Sequence, residues 1–503
     1  NIGVHGIKAM VGIESRMGKG DLFDAYRRYF ISTSIDELFA GGDKDKTNNG
    51  SSFENARLNY FGRINYNYNE KYLFEFVWRF DGSYIFPAEG RYGFFPGISV
   101  GWRLSEEKFW KERLSFIENF KLRASWGQTG NDRIDEWQYL SSYAFNNNGY
   151  TYIFGNDQEN KLLSEKRIPN RNVTWEVANQ SNIGFEAYFL DNKLSLETDF
   201  FLNKRSNILW QRNASVPTST GLTLPKENIG KVTNKGFEFS LGYKNQIQQL
   251  KYNITFNGGY AKNKITYWDE APGRPAYQQS TGKSIPSDPS NVDSDLYYET
   301  IGIFRDQAAI DAYPHWPGAR PGDIIFKDVN EDGIIDANDR VRNDKTNIPR
   351  FTGGLNISLS YRQFDLSILF QGATGAVRYI RTESGEVGNF LKDFYDNRWT
   401  EENPDATGPR TFTDASEYWR NYDNTYFLHK TDYIRLKNIE FGYNLPLKAN
   451  RKIGIQNLRF YISGYNLLTF SPDLKDFDPE SSQINGQSYP VQRVINGGLT
   501  LTF

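Results

Sequence analysis

Cysteine is absent from this 503-residue chain and histidine occurs only three times. Without cysteine there is no disulfide, no thiolate metal site and no cysteine nucleophile. His5, His315 and His429 stand far apart, which leaves little for a zinc centre or a histidine-based triad, and His315 and His429 are expected in solvated loops. A concentrated basic face is lacking too: 59 Lys and Arg oppose 61 Asp and Glu, for a net charge of −2, so nucleic acid is not expected as a partner. No stretch approaches the roughly 20 consecutive apolar residues of a spanning helix, and the mean hydropathy is −0.66. A helical membrane protein is excluded, and any membrane role falls to strands. The chain opens on Asn1, without an initiator methionine or an apolar leader, and is read as a fragment or a mature product.

What the chain has in excess is rings. Aromatic residues make up 16% of it, with 32 Tyr and 37 Phe, and they recur with period two. Tyr72, Phe74, Phe76, Trp78 and Phe80 share one face of an extended segment, while Glu75, Arg79 and Asp81 lie on the other. Leu194, Leu196, Thr198, Phe200 and Leu202 alternate with Ser195, Glu197 and Asp199 in the same way. Leu355, Ile357, Leu359 and Tyr361 alternate with Asn356, Ser358 and Ser360, and after a tight turn Phe364, Leu366, Ile368 and Phe370 resume the apolar row. A charge-free apolar face opposite a polar one, in segments of about ten residues, is the signature of strands between lipid and a polar lumen. A soluble propeller also alternates, but its blades repeat every roughly 40 to 50 residues, and no such repeat occurs.

About fourteen such strands are read, beginning near residues 1, 54, 71, 91, 119, 178, 193, 231, 251, 350, 364, 431, 456 and 489. Short connections, such as 68 to 70 and 191 to 192, alternate with long ones. Outer-membrane barrels keep their short turns periplasmic, which places loops 17 to 53, 131 to 175, 209 to 230, 266 to 349, 374 to 430 and 470 to 488 outside. The last strand then descends to the periplasmic rim, ending Leu499-Thr500-Leu501-Thr502-Phe503 with the terminal aromatic found in many outer-membrane barrels. The expected fold is all-β: a transmembrane antiparallel β-barrel with long extracellular loops, to which the whole of 1–503 belongs.

Within the loop 266–349 lies a twelve-residue stretch, 328–339, with oxygen-bearing side chains where an EF-hand loop has them. Asp328, Asn330 and Asp332 fill positions 1, 3 and 5, Gly333 makes the sharp turn at 6, and Ile334 offers its carbonyl at 7. Asp336 stands at 9 and Asp339 at 12, where aspartate replaces the usual glutamate. Structural calcium is the ligand expected, with a weak dissociation constant of roughly 10⁻⁴ to 10⁻³ M; the plain alternative is a solvated acidic turn without metal. Exposed aromatics beside Asp and Asn suit a sugar face or a peptide, and the candidates are Tyr313, Trp316, Trp399, Tyr418, Trp419 and Tyr422. A glycosidase pair such as Asp414 with Glu417 can be drawn, but nothing in the sequence supports one. No catalytic constellation is found, so the chain is read as a non-enzyme; the alternative reading is a soluble or surface-attached β-rich glycan-binding protein.

The run Gly322-Asp323-Ile324-Ile325-Phe326-Lys327-Asp328-Val329-Asn330-Glu331-Asp332-Gly333, together with Phe370-Gln371-Gly372, Asn397-Arg398-Trp399-Thr400 and Asp432-Tyr433-Ile434-Arg435-Leu436, resembles the SusC/RagA family of TonB-dependent outer-membrane transporters. Tyr60-Phe61-Gly62-Arg63 and Gly93-Phe94-Phe95-Pro96 add to the likeness. The resemblance implies a 22-strand barrel in the bacterial outer membrane, of which this chain would be the C-terminal part, and an N-terminal plug domain absent from this chain. It also implies energy from the TonB complex, and a SusD-like surface lipoprotein that forms a dimeric transporter–lipoprotein assembly and helps capture oligosaccharides or peptides.

Overall fold

The computed structural model of the chain describes all residues except 1–2, 33, 146–150, 155–157, 162, 213–223, 289–292, 381–390, 412–421, 447–455, 482–490 and 503. Fourteen strands form one antiparallel sheet in chain order: β1 (His5–Tyr26), β2 (Thr47–Tyr68), β3 (Tyr72–Ser83), β4 (Tyr92–Arg103), β5 (Ile117–Asn131), β6 (Glu176–Phe189), β7 (Leu194–Gln211), β8 (Lys226–Ile247), β9 (Leu250–Tyr267), β10 (Phe351–Tyr361), β11 (Phe364–Thr374), β12 (Tyr433–Asn444), β13 (Asn457–Phe470) and β14 (Val494–Thr502). Each strand read from the alternation has its counterpart. The first loop is shorter than the expected 17 to 53, because β1 and β2 stay paired from Met17↔Ala56 to Tyr26↔Thr47. Polar residues such as Asn48, Asn49 and Ser51 carry no apolar period, yet a ladder needs only their backbone.

Short turns gather at one end of the sheet. Gln248 and Arg362 take positive φ, 54° each, as the first residues of two tight hairpins. Between β6 and β7, the Glu118 carboxylate accepts hydrogen bonds from the backbone N–H groups of Asp191 and Asn192. The longest connections leave from the other end, while the connection 104–116, with its short helix Lys108–Arg113, stays with the short turns.

Register turns the separate alternations into one surface. Ile64, Phe76, Ile98 and Trp126 stand opposite one another across β2 to β5. Ala124, Ile183, Phe200, Phe237, Tyr260 and Phe351 continue such a row across β5 to β10, and Leu355, Phe370, Leu436 and Leu468 carry another across β10 to β13. One face of the sheet is thus an unbroken apolar belt, much of it exposed: Ile183 at 64% and Phe200 at 54%. Rings crowd its short-turn margin, where His5, Tyr68, Tyr72 and Trp102 follow one another with centroids 5.0 to 6.2 Å apart and Phe364 lies 5.0 Å from Tyr443. Phe80 and Tyr92, stacked at 5.0 Å, mark the long-loop margin. An apolar band between two aromatic girdles is the lipid-facing surface of an outer-membrane barrel.

The opposite face is ionic. Arg123 reaches Glu186 at 2.7 Å and Asp199 at 2.5 Å, bridging β5, β6 and β7. Arg459 of β13 pairs with Asp365 of β11 and, at 2.7 Å, with Glu440 of β12. Ion pairs of this kind belong to a wet lumen wall. The buried apolar clusters lie instead at the long-loop end: one around Phe86, Phe95 and Trp175, one around Val232, Ile265 and Trp268, and the largest within the loops themselves.

Candidate functional site

The described residues of the loops 268–350 and 375–432 fold as one module. Short ribbons frame it: Leu296–Tyr298 pairs with Arg340–Arg342, Thr300–Ile303 with Ile324–Phe326, and Val377–Tyr379 with Leu428–Lys430. Their apolar side chains meet in a core of Tyr298, Trp316, Ile324, Phe326, Ile335, Phe394 and Phe427, where Tyr298 stacks on Phe326 at 4.7 Å. Hydrogen bonds cross between the loops, from Tyr298 N–H to the Asp423 carbonyl and from Thr300 N–H to the Thr425 hydroxyl. Asp323, 1% exposed, accepts from Arg410 at 2.6 Å. At Gly322, φ is +89° and an added Cβ would stand 2.6 Å from the Trp399 ring, so the ring lies directly on backbone.

Two clamps tie loops to wall. Asp344 takes Lys262 of β9 at 2.6 Å, Arg350 at 2.9 Å and the Ser284 N–H at 2.9 Å. Burial pushes the Asp344 carboxyl up, but the Lys262, Ser284 and Arg350 donors outweigh it and hold the group below its ordinary value. Arg435, fully buried at the start of β12, pairs with Asp478 at 2.6 Å and Glu480 at 2.8 Å from the loop after β13. That loop and the module enclose a cavity of about 230 Å³, lined by Leu391, Asp393, Tyr426, His429, Asp473 and Phe477 among others.

The structure separates the aromatic candidates. Trp316 is 5% exposed and packs in the module core, so it presents no face to solvent. Trp399 is half-buried on Gly322, and its indole N–H is buried without a hydrogen-bond partner. The Tyr313 hydroxyl accepts from the Asp328 backbone N–H, joining it to the twelve-residue loop. Tyr422 is exposed, edge-on to Tyr298 at 5.8 Å. Tyr418 and Trp419, like Asp414 and Glu417, lie outside the described residues. His429 is not the solvated residue expected: it lines the cavity, and burial lowers its basicity. Sequence reasoning missed the cavity altogether, since its walls come from segments some 80 residues apart in the chain, such as Asp393 and Asp473, and no spacing announces them.

The stretch 328–339 is a tight turn braced by its own side-chain oxygens. Asp328 accepts from the Gly333 N–H at 2.9 Å, Asp332 from the Ile334 N–H at 2.8 Å and Asp336 from the Asn338 N–H at 2.7 Å, while Gly333 supplies the turn at φ +80°. The second oxygen of Asp328 is buried without a partner. Asp339 is fully buried, and its two oxygens accept from Val329 and Asp336 N–H groups at 2.8 Å each. Among the described residues no three His, Asp or Glu side chains converge as a metal group. The oxygens of Asp328, Asp332 and Asp336 accept from backbone N–H groups of the turn itself, and Asp339 is occupied in bracing the loop.

Comparison with known proteins gives these features a lineage. A family profile described as TonB dependent receptor-like, beta-barrel, matches residues 5–467. TonB-dependent receptor P3 of Formosa agariphila is 30% identical over all of this chain and 51% of its own length. TonB-dependent receptor SusC of Bacteroides thetaiotaomicron is 28% identical over 89% of this chain and 44% of its own. A solved structure of the RagAB peptide transporter has the same fold, with a TM-score of 0.78 at 23% identity over 100% of this chain and 54% of that one. The chain thus spans about half the length of the curated relatives it matches. The SusC/RagA likeness read from the motifs is borne out by the SusC match, and the soluble glycan-binding alternative gives way to the lipid-facing belt. This is an outer-membrane β-barrel of a transporter family, not an enzyme family: the chain belongs to the TonB dependent receptor-like β-barrel family.

Proposed function

We propose that the chain forms part of an importer that takes up oligosaccharides or peptides, driven by the TonB complex and fed by a SusD-like lipoprotein, with the long loops outside the cell. The observation that carries the reading is the union of a lipid-facing belt, an ionic lumen wall and an ordered loop module at the long-loop end. Short turns periplasmic and long loops extracellular is the orientation such barrels adopt. The peptide alternative draws support from the RagAB peptide transporter, which has the same fold, and the glycan alternative from exposed loop aromatics such as Tyr422. Binding at the loops and passage through the lumen would involve no covalent step.

Within this reading the loop 328–339 holds calcium through Asp328, Asn330, Asp332 and the Ile334 carbonyl, with Asp336 reaching it through water and Asp339 fixing the loop in shape. The ion orders the module and does no chemistry. Chelation is then expected to raise protease cleavage within 296–342 and leave the barrel intact; equal cleavage with and without chelator counts against the metal.

The whole reading is tested by extracting the protein from its native outer membrane in detergent and identifying what comes with it by mass spectrometry. A surface lipoprotein of SusD type in stoichiometric amount, together with uptake of labelled oligosaccharide or peptide that stops when the proton gradient is collapsed, is the expected result. Uptake that persists without the gradient, or purification with no lipoprotein, defeats it.

A further inference from the structure

The belt is level over most of its extent because large side chains fill each cross-strand row. Near the long-loop margin it is not. Gly258, Gly353 and Gly372 stand opposite one another on β9, β10 and β11, all on the lipid-facing side. The row towards the short turns is Phe256, Leu355 and Phe370, and the row towards the loops is Tyr260, Phe351 and Thr374. The part of this strip from Gly353 to Gly372, with Leu355 and Phe370 on one side and Phe351 and Thr374 on the other, is a groove of about 660 Å³. Ile434 and Phe470, 60% and 69% exposed, wall its far end, and Pro472 brings it to the loop margin.

The glycines are needed for the shape. A Cβ at Gly258 would come within 2.9 Å of the Phe351 ring, and one at Gly372 within 2.9 Å of the Tyr433 carbonyl oxygen. The Phe351 ring therefore sits over Gly258 and close to Gly353 and forms one wall of the groove.

From this geometry we infer that the groove is a binding site for one acyl chain of an outer-leaflet lipid. The groove continues the lipid-facing belt, so hydrocarbon is the medium that reaches it. It is concave and narrow, which suits a flexible chain and not the convex wall of a second barrel. It opens at the loop margin, where the headgroup of a lipid inserted from that side would sit. A chain lying in it covers apolar surface that ordinary disordered lipid packs against less completely, so one lipid is held longer than its neighbours. The leaflet rests on the orientation proposed above; the groove itself does not.

The test is native mass spectrometry of the protein extracted from outer membranes in mild detergent, comparing wild type with Ile434→Ala/Phe470→Ala and with a control, Phe460→Ala/Ile462→Ala, on the same face away from the groove. The expected result is a retained lipopolysaccharide in wild type and control, with its occupancy reduced at least tenfold in the groove variant. Both variants only shorten exposed side chains, and an unchanged heat-resistant gel mobility verifies that they fold. Equal occupancy in wild type and groove variant overturns the proposal, as does a disulfide-linked second copy of the chain in Phe470→Cys. Loss of a phospholipid in place of lipopolysaccharide overturns the leaflet assignment, and labelling of loop 296–342 on intact cells reads the orientation separately.

Discussion

At the scale of single residues, the loop module is held to the barrel by charges that the sequence does not announce. Asp344 is one acid among 61, yet it receives Lys262, Arg350 and the Ser284 N–H. Its folded value lies below the ordinary 3.8, so its contribution to stability is full above that value and is lost as pH falls through the folded one. Asp344→Asn leaves two half-buried cations without their counter-charge and is expected to cost about 1 kcal/mol at neutral pH, a figure kept small because the pair is partly wet. Hydrogen exchange across 262–284 at pH 7 should be faster in the variant than in wild type. As pH falls below 3.8 through the folded value the two should converge, since the wild-type carboxyl then loses its charge. A difference that persists undiminished down to the acid end of the folded range would show that geometry, not charge, makes the clamp.

At the scale of elements, the barrel strands and the loop module differ in how far their sequences speak for them. Ile357 and Ile368 face each other across β10 and β11, and period two alone placed them, because lipid on one side and water on the other impose opposite chemistry on adjacent residues. Trp316 and Tyr422 both look like exposed loop aromatics in sequence, but one is core and the other is surface. What separates them is contact with segments about a hundred residues away, which has no periodicity to read. The turn at 328–339 was legible because its hydrogen bonds are local, as from Gly333 to Asp328; the cavity beside His429 was not, because its walls are distant. Gly322 is a place where this hidden packing can be tested. At φ +89°, with the Trp399 ring where a Cβ would be, Gly322→Ala must strain the backbone and displace the ring, at a cost of at least about 1 kcal/mol. Limited proteolysis should then cut 296–326 and 394–411 faster, while the heat-resistant mobility of the barrel stays as it was. Loss of both together would mean that the module and the barrel unfold as one unit.

At the scale of the whole molecule, the claim that matters is that one face of the sheet meets lipid and the other water, and neighbouring residues on one strand can decide it. Ile368 belongs to the belt, opposite Ile357 and Ile439, and Ser367 to the lumen wall, opposite Ser358 and Glu440. An arginine at 368 would have to be stripped of water near mid-bilayer, which costs about 2–4 kcal/mol on the lipid face of such barrels. An arginine at 367 would stand in the lumen with the Glu440 carboxylate across from it, and should cost little. Ile368→Arg is therefore expected to lower the folded, heat-resistant fraction in outer membranes severalfold, and Ser367→Arg to leave it unchanged. The two substitutions carry the same charge and volume and differ by one residue, so general disruption of β11 predicts equal damage. Only a lipid face and a wet face predict the asymmetry, and a reversed outcome would turn the sheet inside out.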